Sequence, residues 1–103
     1  MLFRSATLHP DPEIEAAVAE IARQSPHSSV LNGRFRGGWT TRHYGQPGTG
    51  VHAIQMELAQ RAYLAAEAAP WTYAAQSAAP LRAVLAQILQ SLDTLARSGV
   101  LNR

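Results

Sequence analysis

Four arginines, Arg34, Arg36, Arg42 and Arg61, fall between residues 33 and 62, where Glu57 is the sole acid. The first three belong to the run Asn32-Gly33-Arg34-Phe35-Arg36-Gly37-Gly38-Trp39-Thr40-Thr41-Arg42-His43-Tyr44-Gly45-Gln46-Pro47. Arginines among glycines can offer planar forks of donors to a carboxylate, and glycine lets backbone and ligand approach closely. A small anionic ligand would suit such a segment. Composition alone favours the plainer alternative, in which these are solvated loop charges. Glu57 ends a second stretch, Gly50-Val51-His52-Ala53-Ile54-Gln55-Met56-Glu57-Leu58. A carboxylate there either faces water or is partly withdrawn from it, where it would be more basic and suited to carrying a proton. Position by itself favours water.

Other chemistries have less support. His43 and His52 are nine residues apart across a turn-like segment with no acid at helical spacing, and no HExxH motif occurs. His27, in Pro26-His27-Ser28-Ser29, is a loop histidine before small residues, a weak ligand signal. Polar or hydrogen-bonding roles are expected for all three. There is no GxSxG elbow for a serine nucleophile. The absence of cysteine excludes disulfides, thiolate zinc sites and cysteine nucleophiles within this chain.

The elements that must position these residues follow from periodicity. Asp11-Pro12-Glu13 joins a capping residue, a proline at the first helical position and acids in the first turn. Ile14, Val18, Ile21 and Ala22 then form one stripe, so a helix is expected over 12–24, ended by Ser25-Pro26. A short strand over 28–31, a glycine-rich loop, a second strand over 39–44 and a turn over 45–50 are expected next. Over 51–58, His52, Ile54, Met56 and Leu58 alternate with Val51, Ala53, Gln55 and Glu57, so a strand would place Gln55 and Glu57 on one face. A helix is expected over 59–66, a break at Pro70-Trp71-Thr72-Tyr73, and a final helix from Ala78. In that last helix Leu81, Val84, Leu85, Ile88, Leu89, Leu92 and Leu95 recur at helical spacing, and Gly99 should stop it.

At 103 residues, with 47% hydrophobic and 16% charged residues, the chain can bury one modest core and is expected to be a single unit over 1–103. No apolar run approaches the roughly 20 residues that cross a bilayer, and the first residues lack a signal-peptide pattern, so a cytoplasmic location without a membrane partner is expected. The pI is about 9.7, but the formal charge is only +2 and no dense basic arm exists. Nucleic acid is therefore not an expected partner.

The two central segments resemble the N-formylglutamate deformylase (N-formylglutamate amidohydrolase) family, closely from Ser29 to about Tyr63 and more loosely through Pro70, Tyr73 and the last helix. The resemblance implies an α/β fold, here a partial zinc-carboxypeptidase-like (phosphorylase/hydrolase-like) sheet with flanking helices, as the C-terminal fragment of a larger domain. It implies a metal-dependent hydrolysis of N-formyl-L-glutamate to formate and glutamate, in histidine degradation. Glu57 would activate water and pass its proton to the leaving amine. Arg34 and Arg42 would bind the substrate carboxylates, with Asn32, His43 and Tyr44 lining the pocket. The family's metal ligands belong to an N-terminal half, in Pro-His-Ser-Gly and Asp-x-His-Ser motifs. Pro26-His27-Ser28-Ser29 imitates the first in a different context, and no second motif occurs. The chain is accordingly expected to hold no metal site of its own, the divalent metal, zinc by the resemblance, belonging to the intact enzyme. It is expected to be inactive alone and to partner the missing half or a copy of itself. A non-catalytic carboxylate-binding module derived from the family is the alternative.

Overall fold

The computed structural model describes residues 2–5, 12–31, 38–99 and 101. Strand β1 (Leu2–Ser5), helix α1 (Pro12–Gln24) and strand β2 (Val30–Leu31) form a β-α-β unit whose strands run parallel. Helix α2 (Trp39–Tyr44) and strand β3 (Ile54–Glu57) follow, and the long helix α3 (Ala75–Ser98) completes the order. The small sheet runs β2-β1-β3, with β3 antiparallel to β1 and Met56 opposite Phe3. The protein is therefore mixed α and β, dominated by helix.

Each long helix follows from its sequence. In α1, Glu13 and Glu15 occupy the first turn and Arg23 the last, matching the helix dipole at both ends. Its outer side carries Glu20, which accepts from Arg23 Nη2 at 2.6 Å and from Gln24 Nε2 at 2.8 Å. The Arg23 hydrogen bond, more than any other influence, holds the Glu20 carboxyl below its usual range. The Ser25 hydroxyl donates to the Ala22 carbonyl at 2.7 Å as the helix ends. Helix α3 stops where expected, at Gly99 with φ of 81°. It starts earlier than its apolar stripe, at Ala75, and carries Pro80 within it.

The inner stripes meet. Val18 and Ala22 of α1 pack with Val84 and Ile88 of α3, and Ile21, Leu92 and the β3 side chains Ile54 and Met56 pack around them. Leu89, counted in the stripe from sequence, is instead 67% exposed.

The sequence expectations fail at three further places. Trp39–Tyr44 is a helix and not a strand, although its residues are mostly β-formers. Residues 59–66 yield one 3-10 turn, Gln60–Ala62, after which a bridge between Leu64 and Tyr73 closes a loop. That loop contains a cis Ala69–Pro70 bond and Trp71 in the left-handed region at φ of 59°. Strand β1 has no forewarning, being four residues long with both partners distant in sequence.

Truncating the buried helix contact should separate core from surface. Ile88→Ala is expected to cost about 2–5 kcal/mol in denaturant unfolding, against roughly 0.5 kcal/mol or less for the neighbouring Leu89→Ala. Equal losses would contradict the assigned stripe.

Candidate functional site

Because Ile54 and Met56 face the helices, Gln55 and Glu57 must project from the other side of β3. Their side chains meet there, Gln55 Nε2 donating to Glu57 Oε1 at 3.0 Å. The opposite end of the same carboxamide reaches α2. Gln55 Oε1 accepts from the Gly38 backbone N–H at 3.0 Å and from Thr41 Oγ1 at 3.1 Å. Thr41 is 6% exposed, and it is the buried polar residue among the described residues. A hydroxyl withdrawn from water needs a partner, and Gln55 supplies it.

These bonds account for the helix where the local sequence suggested a strand. Gly38 precedes α2 without a side-chain cap, and the Gln55 carbonyl oxygen takes up its N–H from across the fold. The short helix leads to Gly45, whose N–H returns to the Thr41 carbonyl at 2.9 Å. Gln46 and Val51 then pair across a tight loop containing a 3-10 turn at Pro47–Thr49 and Gly50 at φ of 83°. The link from α2 to β3 is thus tied at both ends. Gly38 itself has ordinary extended angles, φ −78° and ψ −170°, and a Cβ there would meet Gln55 Oε1 at an unstrained 3.6 Å.

Of the residues singled out in the sequence, Arg42, His43 and Tyr44 all belong to α2, and Glu57 to the β3 face bonded to that helix. Asn32 and Arg34 lie outside the described residues. The outer surface of α2 is an aromatic ledge. Trp39 stacks on His43 with ring centroids 4.3 Å apart and planes 11° from parallel, and Tyr44 meets the imidazole edge-on at 4.8 Å. Trp39, His43 and Tyr44 are exposed, as are Arg42 and Glu57. Glu57 is thus not the withdrawn carboxylate that its sequence position allowed. The arrangement offers a guanidinium, an imidazole and a phenol on α2, and a carboxylate on the strand face that Gln55 bonds to that helix.

The other histidines serve different neighbourhoods. His52 Nε2 donates to the Leu101 carbonyl at 3.1 Å beside a largely apolar cleft of about 270 Å³. His27 lines another cleft with Arg61 and Ser77, its Nε2 buried without a hydrogen-bond partner among the described residues. Among the described residues no three His, Asp or Glu side chains gather as a metal centre requires.

Two residues of this surface escaped the sequence reading. The alternation put Gln55 beside Glu57 but gave it no task, and Thr41 carried no signal, because its partner is fourteen residues away on another element.

A family model described as N-formylglutamate amidohydrolase matches residues 3–64, more than half of the chain, including all of α2 and β3. The chain belongs to that family. It is 49% identical over 83 residues to the N-formylglutamate deformylase of Pseudomonas aeruginosa, and 51% identical over 71 residues to that of Pseudomonas putida. Those matches take in 80% and 69% of this chain but 31% and 26% of the relatives, so the chain spans about a third or less of their length. No solved structure matches it. No helix among the described residues is long and apolar enough to cross a membrane.

Thr41→Val in this amidohydrolase-family chain keeps the volume and removes the hydroxyl that Gln55 accepts. It is expected to lower stability by about 1 kcal/mol in chemical denaturation, whereas exposed Thr40→Val should stay within roughly 0.5 kcal/mol of the parent. A harmless Thr41→Val would dissociate Gln55 from the stability of α2.

Proposed function

We propose that this chain is the C-terminal, substrate-facing part of an N-formylglutamate deformylase, a single unit over 1–103 that supplies the proton carrier and the substrate arginines. The observation that carries the reading is the Gln55 carboxamide, which joins Glu57 to the helix bearing Arg42, His43 and Tyr44. Membership in the amidohydrolase family and the names of the Pseudomonas relatives supply the reaction.

In this reading Arg42, with Arg34, forms forked hydrogen bonds to the carboxylates of N-formylglutamate, and Asn32, His43 and Tyr44 line the pocket. Water attacks the formyl carbon, the carbon–nitrogen bond breaks, and formate and glutamate leave. Glu57 accepts the proton lost by the water and delivers it to the departing nitrogen. A divalent metal, zinc by the family resemblance, belongs to the proposal as a Lewis acid held by residues outside this segment. Kinship with zinc carboxypeptidases, a role in histidine breakdown and a cytoplasmic location are further parts of it.

The proposal also gives the chain a structural partner, either the remainder of the enzyme or a second copy.

The test is a chimera in which this chain replaces the matching segment of the Pseudomonas aeruginosa protein, assayed for formate release from N-formylglutamate. Glu57→Gln is expected to lower kcat by about 10²–10⁴-fold with KM nearly unchanged. Arg42→Ala is expected to raise KM, with a loss of about 2–4 kcal/mol in kcat/KM, and lysine should rescue it poorly. Turnover by Glu57→Gln at the parental rate would remove Glu57 from the chemistry. Ligand binding without hydrolysis by the parent chimera would favour a carboxylate-binding module.

A further inference from the structure

We infer that Gln55 is a positioning residue that sets the Glu57 carboxylate and the substrate helix α2 against one another. The inference rests on the reading of Glu57 as the proton carrier. The direction of the carboxamide is dictated by its partners. The Gly38 backbone N–H can only donate and an ionised carboxylate can only accept, so the carbonyl end must face α2 and the amino end must face Glu57. One planar group therefore reads both elements at once, with contacts of 3.0 and 3.1 Å on the helix side and 3.0 Å on the carboxylate side.

The chemistry explains why glutamine suits the position. Glutamate could accept from Gly38 and Thr41 but would present a second negative oxygen to Glu57. Leucine could do neither, and asparagine is a methylene too short to span the same gap. The backbone adds its own constraint. Positions 55 and 57 are adjacent on one strand face, so the amino group arrives beside Glu57 without any loop having to close. Thr41 is buried one residue before Arg42, so a shift of the amide would move the arginine-bearing turn as well. A proton carrier must be held near its productive geometry by a neighbour whose own position is fixed, and Gln55 is fixed at its far end by two donors.

Gln55→Glu separates the two halves of this role, because it keeps the acceptor for α2 and deletes the donor to Glu57. Gln55→Leu deletes both. In the full chain, NMR scalar couplings should report one dominant Glu57 side-chain rotamer for the parent. In Gln55→Glu the Glu57 couplings should become averaged while the α2 amide shifts, from Trp39 to Tyr44, stay in place; in Gln55→Leu both should change. In the chimera, Gln55→Glu is expected to lower kcat by about 10–100-fold with KM within about twofold, and Gln55→Leu to raise KM too. Parental Glu57 couplings in Gln55→Glu, or parental kcat in an active chimera, would overturn the positioning role. A chimera in which the parent releases no formate would defeat the deformylase reading, and the couplings in the isolated chain would still decide whether Gln55 orients Glu57.

Discussion

The packing of β3 beneath the two long helices is the constraint on which the rest depends. Ile54 and Met56 are committed to the cluster formed by Val18, Ala22, Val84 and Ile88, and the strand's two-residue period then leaves Gln55 and Glu57 no choice of side. A slip of one residue would bury a glutamate and an amide in an apolar cluster while exposing an isoleucine and a methionine. The apolar core thus fixes a polar pair. Its member Gln55 in turn bonds a helix which local propensity does not favour.

This hierarchy explains what could be read from sequence. Helix α1 was legible, since its proline, first-turn acids and apolar stripe agree, although Asp11, expected as its cap, lies outside the described residues; α3 was legible from its stripe and Gly99. The facing of 54–57 was legible too, because alternation is a local property. Helix α2 was not. Trp39, Thr40, Thr41 and Tyr44 favour strands, and the interactions that override them come from Gln55 on another element. Strand β1 was missed for the same reason, its pairing with β2 and β3 being wholly tertiary. The segment 59–66, expected to be helical, instead forms a turn leading to a loop closed at Leu64 and Tyr73.

The candidate site was legible in outline only. Arg42, His43, Tyr44 and Glu57 were chosen as residue types, and the structure links Glu57 to α2 through the hydrogen bonds of Gln55, which the sequence left without a part. The family match ends at residue 64, yet Val84 and Ile88, which support the back of β3, come from α3 beyond it. The residues of chemical interest and the residues that hold their strand in place therefore occupy different stretches of the chain. A stability defect in α3 should consequently be felt at Glu57, with no contact between them required.

Through Gln55, the outward face of β3 and helix α2 form one energetically coupled unit. A double-mutant cycle in denaturant unfolding, with Thr41→Val, Gln55→Leu and their combination, measures that coupling directly. The expected interaction energy is about 0.5–3 kcal/mol, the double variant losing less than the sum of the two single ones, as befits residues sharing a partly buried hydrogen bond. Additive losses, within about 0.3–0.5 kcal/mol, would mean that Thr41 and Gln55 stabilise the fold independently and would contradict the claim.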